Sequence, residues 1–275
     1  MPTVKKVEKF WDENPLFLGE SDHEFACLDW FEEHEKVYLE DCFAGAIDER
    51  IFAEIALDSK ILDLGCGIGM WLHQFAKRGF TQITGADLTN NALSIAKKRG
   101  LLYGNEFALH KENAEELTYA DGSFDHVNCQ GVIHHTPNTK SCVKEISRIL
   151  KPSGTALISV YYKNAILRNW KLLYPFGKVL GKFNFGMKGR GREDIFTIKD
   201  IDELTKLYDG ADNPIGKSYS KTEFQELLLP YFEIKQIFFI SSLQELSLLK
   251  FLKILHSFLY KKIRSFMIFA TFKKM

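Results

Sequence analysis

Apolar positions along this chain follow two periods. Over residues 59–162, short apolar runs alternate with stretches in which apolar residues recur every three or four positions, and this predicts strands alternating with helices. Ile61-Leu62-Asp63-Leu64 reads as the first strand and runs into the glycine turn Gly65-Cys66-Gly67-Ile68-Gly69. A helix through Trp71, Leu72, Phe75 and Ala76 follows. Residues 81–88 form a second strand ending on Asp87, 105–110 a third and 124–130 a fourth. An amphipathic helix over 141–150 leads through the turn Lys151-Pro152-Ser153-Gly154 to a fifth strand over 154–161. Regular alternation of this kind predicts a parallel sheet covered by helices on both faces.

The pattern changes on either side. Residues 1–56 are rich in aromatic and acidic residues, among them Trp11, Trp30 and Tyr38, and read as a helical cap. Residues 163–230 are uneven, with a basic loop over 183–192 and the turn cluster Asp209-Gly210-Ala211-Asp212-Asn213-Pro214. An insertion this long inside a compact domain suits a lid or substrate-binding element. Ser220 and Glu223 make a capping box for a helix reaching Leu229, and Pro230 ends it. Residues 231–275 supply two final strands, over 232–240 and 265–272, around a leucine-rich helix over 243–263 with Lys250, Lys253, Lys261 and Arg264 toward one face.

The glycine turn carries the first chemical signal. In a dinucleotide fingerprint the third glycine would fall on Met70, whereas here it is Gly69, one position early. Asp63 stands two positions ahead of the first glycine, where its charge suits an ammonium group and would repel a pyrophosphate. Asp87, about 20 residues past the turn, is placed to accept ribose hydroxyls. Together these residues point to a methyl donor of the S-adenosylmethionine type over NAD.

Composition narrows the partners. Lys plus Arg and Asp plus Glu are 36 each in 275 residues, so no global field favours nucleic acid, and none is expected as substrate. Five cysteines without a C-x-x-C pair read as reduced thiols, and the N-terminus lacks the apolar core of a signal peptide. A cytoplasmic protein is expected, with membrane-surface contact through the basic C-terminal helix as an alternative.

Later blocks carry a resemblance. Asn113-Ala114-Glu115-Glu116-Leu117, Asp121-Gly122-Ser123-Phe124-Asp125, Gly131-Val132-Ile133-His134-His135-Thr136-Pro137 and Glu145 through Gly154 follow the glycine turn in order. Over residues 57–162 the chain resembles the class I S-adenosylmethionine-dependent methyltransferases related to the ubiquinone and menaquinone methyltransferases. The resemblance implies a Rossmann-like, doubly wound α/β fold with a mostly parallel seven-stranded sheet of order 3-2-1-4-5-7-6. It implies that Gly65, Cys66 and Gly67 lie against the methionine part of the cofactor, that Asp87 holds the ribose, and that Leu88, Asn113 and Ala114 meet the adenine. Asn113 stands where the family commonly has Asp, yet its carbonyl oxygen can still accept from the adenine amino group. Gln130 is expected beside the reacting sulfonium. S-adenosylhomocysteine would be the product.

His134 and His135 raise two further readings. Adjacent histidines point in different directions and no third ligand stands at readable spacing, so no metal is expected. An imidazole could instead take a proton from the acceptor, with His135 the better placed, although packing beneath the lid explains either residue equally well. The expected activity is methyl transfer by in-line displacement to a small or lipid-like acceptor in a capped pocket. A cofactor-binding regulatory protein and a membrane-peripheral isoprenoid or quinone methyltransferase are the alternatives.

Overall fold

A computed structural model describes residues 2–15, 21–43, 45–181, 195–241 and 265–275. Among the described residues, eight strands form one sheet: β1 (Ile61–Leu64), β2 (Ile83–Asp87), β3 (Ala108–Lys111), β4 (Phe124–Gln130), β5 (Leu150–Tyr162), β6 (Ser218–Tyr219), β7 (Phe232–Ser241) and β8 (Ser265–Lys274). Their order is β3-β2-β1-β4-β5-β8-β7, with the two-residue β6 paired to β5 off that path. Setting β6 aside leaves the expected 3-2-1-4-5-7-6 arrangement. β1 to β5 run parallel, and β8 runs antiparallel to both β5 and β7.

Nine helices surround the sheet among the described residues: α1 (Val4–Glu13), α2 (Leu28–Phe43), α3 (Met70–Lys77), α4 (Asn90–Leu102), α5 (Thr139–Ile149), α6 (Ala165–Arg168), α7 (Trp170–Gly181), α8 (Ile201–Lys206) and α9 (Lys221–Leu228). Neighbouring strand residues point to opposite faces, and β1 divides its apolar side chains accordingly. Leu62 and Leu64 join Val143 and Ile146 of α5 and Phe224 of α9 on one side, while Ile61 joins Trp71 and Phe75 of α3 on the other. Every β1 residue is therefore buried, as a central strand of a doubly covered sheet must be.

Two local features depart from the expected pattern. β3 begins at Ala108 because Gly104, at φ +71°, turns the chain and the Asn105 N–H bonds back to Gly100 O at 2.8 Å, so 105–107 form the connection after α4. The Lys151–Gly154 stretch is no separate turn. β5 runs straight through it, with Ser153 at φ +64° and a bulge against β4 between Phe124 and His126. The Ser220–Glu223 capping box forms as expected at the start of α9. The basic loop over 183–192 and the leucine-rich helix over 243–263 lie outside the described residues. Among the described residues, no helix is long and apolar enough to cross a membrane.

α2 is pinned to the core by charge. Glu35 accepts from Gln74 Nε2 of α3 at 2.8 Å and from Arg99 Nη2 of α4 at 3.4 Å. Arg99 is wholly buried, which pulls its pKa down to about 10 against the pull of Glu35. This attachment fixes the helix whose His34 and Tyr38 reach the cavity described next.

Candidate functional site

A cavity opens at the C-terminal ends of the parallel strands, where open α/β sheets bind ligands. The loop after β1 builds its floor. Gly65 and Cys66 both donate to Ala86 O, at 2.7 and 2.9 Å, which fastens the loop to β2. Gly65 has φ +74°, and a Cβ there would stand 2.2 Å from Val132 Cγ2, so only glycine fits. Gly67, at φ +51°, has open space where its Cβ would be, leaving room for a ligand against the backbone.

Asp87 ties this loop to the next. Its Oδ2 accepts from Gly67 N at 2.9 Å, and its Oδ1 accepts from both the N–H and the hydroxyl of Thr89 at 2.9 Å. Burial raises its pKa while these bonds oppose the rise. A carboxylate has about four acceptor positions, so these three donors leave it able to receive a hydroxyl.

Of the residues singled out by sequence, Gly65, Cys66, Gly67, Asp87, Leu88, Asn113, Ala114, Gln130 and His135 all border the cavity. Asn113 Oδ1 accepts from Glu115 N at 3.1 Å, which occupies one of its two lone pairs. Asp63 and His134 do not border it. Asp63 is buried under the floor opposite its register partner Asn128, whose Nδ2 donates to Asp63 Oδ1 at 2.7 Å. Burial raises the Asp63 pKa to about 7, the Asn128 hydrogen bond opposes this, and the charge of Asp87 adds to it. Asn128 in turn accepts from Gln130 Nε2 at 2.8 Å.

His134 is sealed behind His135. Its ring packs 4.1 Å from the rings of both His135 and Tyr161, neither nitrogen has a hydrogen-bond partner among the described residues, and burial holds its pKa well below 6.5. His134 is thus a neutral packing residue with no face on the cavity. His135 behaves differently. It borders the cavity edge-on to Trp11 at 5.0 Å, and its Nδ1 lies 2.7 Å from Ile215 O.

The opposite wall comes from the N-terminal helices expected as an aromatic cap, though the sequence did not say which of their residues face the cavity. Val7, Trp11, His34 and Tyr38 reach the cavity from α1 and α2, and Trp71 joins them from α3. Periodicity marks such positions as buried without saying whether they face a core or a cavity. Glu112 also lines the site and accepts both the N–H and the hydroxyl of Thr118. Its place just past β3 was the one available signal, and the strand boundary hid it.

Residues 62–158 match the methyltransferase domain family. The chain belongs with the class I S-adenosylmethionine-dependent methyltransferases. A protein named ubiquinone biosynthesis O-methyltransferase from Dechloromonas aromatica is 27% identical over 226 residues, covering 78% of this chain and 86% of the relative. One of the same name from Sodalis glossinidius is 32% identical over 160 residues, covering 58% of this chain and 61% of the relative. A solved S-adenosylmethionine-dependent methyltransferase from Methanosarcina mazei shares the fold at a TM-score of 0.57 and 20% identity, covering 83% of this chain and 98% of that one.

The site of this methyltransferase fits S-adenosylmethionine. Asp63 Oδ2 and Gln130 Oε1 are buried acceptors to which no group among the described residues donates, and both belong to the network beneath the glycine loop. A methionine ammonium brings positive charge to this acceptor-rich floor, while Gly67 leaves space for the ligand chain. Asp87 retains acceptor capacity suited to a ribose hydroxyl.

Proposed function

We propose that this methyltransferase acts on a hydroxyl of a small, flat and largely apolar acceptor, held between the glycine loop and the aromatic wall from α1 and α2. The two unlike walls of one cavity carry the reading. One wall presents glycine backbone and the polar groups of Asp87, Asn113 and Gln130, while the other presents Trp11, His34, Tyr38 and Trp71. Rigid aromatic surfaces suit a ring system and exclude water. The relatives named as ubiquinone biosynthesis O-methyltransferases support an oxygen as the acceptor atom.

In this reading Gly65, Cys66, Gly67 and Gln130 hold the methionine end over Asp63, Asp87 holds the ribose, and Leu88, Asn113 and Ala114 enclose the adenine. When bound, S-adenosylmethionine supplies a methyl group already activated on a sulfonium, and the electron pair of the broken C–S bond leaves with sulfur. The protein's share is alignment and proton removal. Fixing the acceptor in line is worth up to about 7 to 11 kcal/mol in the best cases. His135 takes the hydroxyl proton as the oxygen forms its new bond to carbon. Methyl-labelled cofactor offered with a catechol bearing a short prenyl chain, and separately with an aliphatic amine, tests the acceptor class. Labelled O-methyl ether is expected, and methylation of the amine alone would refute it.

A membrane-peripheral form of the same activity is favoured by α7. Leu172 and Phe176 on that helix are 81% and 65% exposed, beside Lys171 and Lys178. Flotation with anionic vesicles should carry the wild-type chain upward and leave a Leu172→Glu, Phe176→Glu variant behind. Equal behaviour of the two would remove this form.

A further inference from the structure

We infer that Asp209 is the positioning residue for His135, and that the two act as a pair assembled from separate parts of the chain. The inference rests on the proposed hydroxyl acceptor. His135 stands in the short helical turn after β4, whereas Asp209, Asn213 and Ile215 come from the stretch between α8 and β6. Ile215 O can only accept, so the 2.7 Å contact requires that His135 Nδ1 carry the proton. Nε2 is then the one basic atom of the neutral ring.

That atom lies 3.6 Å from Asp209 Oδ2, with both side chains about 6% exposed. An ionised carboxylate has no proton to give Nε2, so the neutral ring gains nothing from it. Once Nε2 takes a proton from the acceptor hydroxyl, both its N–H groups face acceptors, Ile215 O and Asp209. The arrangement therefore favours the protonated product of the transfer, with the carboxylate beside the nitrogen that takes the proton and the Ile215 carbonyl behind the ring.

Asp209 is itself held in place. Tyr161 OH donates to its Oδ1 at 2.6 Å and Asn213 Nδ2 to its Oδ2 at 3.0 Å. Asn213 Oδ1 accepts from Ile215 N at 3.2 Å, so the carboxylate and the carbonyl that grip the ring are braced together. Lys217 fastens the same stretch to the loop after β4 through Thr136 O and Pro137 O, at 2.7 and 3.0 Å. Among the described residues, titratable groups packed around the pair include His134, kept neutral by burial, Tyr208 and Tyr161, whose pKa values burial raises, and Lys217, whose pKa burial lowers.

The test uses the full chain with Asp209→Asn, Asp209→Glu and His135→Gln, and the prenylated catechol as acceptor. Asn keeps the shape and the bond from Tyr161 but removes the charge and, with its amide nitrogen at the Oδ2 position, the bond from Asn213. Asp209→Asn should lower kcat about 100-fold, leave the acceptor KM within about threefold and move the acid limb of the pH profile to lower pH, with partial recovery in Asp209→Glu. A kcat within about twofold of wild type with an unmoved acid limb would show that Asp209 only braces the loop. Nitrogen NMR of histidine-labelled protein, assigned with His135→Gln, reads the pair without turnover. The neutral ring should carry its proton on Nδ1, and a proton on Nε2 would overturn the pairing. Full kcat in His135→Gln would instead sink the base role in the proposed function, while the NMR result still decides the geometry.

Discussion

Replacing Asp63 by Asn should uncouple the stability of this protein from pH in a defined window. The Asp63 carboxyl is wholly buried, and its pKa rises from an ordinary 3.8 to about 7, chiefly through loss of hydration. Because the folded value lies above the unfolded one, the native state holds the proton more tightly. The resulting stability is complete below the unfolded value and is lost as pH rises to the folded one. At about 1.36 kcal/mol per unit, ionising the buried group costs about 4 kcal/mol in full. Between about pH 5.5 and pH 8 the cost grows by about 2 kcal/mol. The carboxamide of Asp63→Asn can still accept from Asn128 Nδ2 and cannot ionise, so the variant lacks this slope. Denaturant unfolding of both proteins at the two pH values isolates the effect, because other titrating groups cancel in the difference. The variant should gain about 2 kcal/mol on wild type between the lower and higher pH. A difference that stays constant would refute a buried, titrating Asp63.

Three further outcomes follow from the packing. Gly65→Ala should cost more than about 2 kcal/mol in unfolding free energy, because φ is +74° and the new Cβ meets Val132, and adding Val132→Ala should recover part of that loss. Glu35→Gln leaves the buried Arg99 guanidinium without its carboxylate and should cost about 3 kcal/mol, read as a lower denaturation midpoint. Ser220→Ala removes one half of the capping box and should cost about 1 kcal/mol by the same measurement.

The core of the fold was legible because its signals are local. A strand that ends in closely spaced glycines, an acid at the next strand end and a capping box each depend on neighbours in sequence, and β1, β2, β4 and α9 form where those signals stand. β3 was placed too early because it is a largely exposed edge strand whose apolar alternation is weak, and Phe107 packs back toward Gly100 instead of joining it. The bulge at Ser153 was hidden by a Lys-Pro-Ser-Gly stretch that usually signals a free turn.

Site residues divide in the same way. The backbone cradle and Asp87 could be read from spacing. The aromatic cap of residues 1–56 could be expected as well, but that Trp11, His34 and Tyr38 are the members facing the cavity could not, because that depends on how α1 and α2 dock, and for α2 that rests on the Glu35 contacts with α3 and α4. His134 and His135 look equivalent as letters, yet one is sealed against Tyr161 and the other borders the cavity, a distinction set by one turn of helix after β4. Asp209 read as part of a turn. Its approach to His135 joins residues 74 positions apart, and no local pattern encodes that.

Calorimetric titration of the full chain with S-adenosylhomocysteine, beside an Asp87→Ala variant, tests the central claim most directly. Wild type should bind one equivalent, and the variant should bind at least about tenfold more weakly, since a charge-assisted hydrogen bond to ribose is worth about 1.5 to 3 kcal/mol. Equal affinity in the two proteins, with both folded, would contradict the placement of the cofactor against Asp87 and the glycine loop.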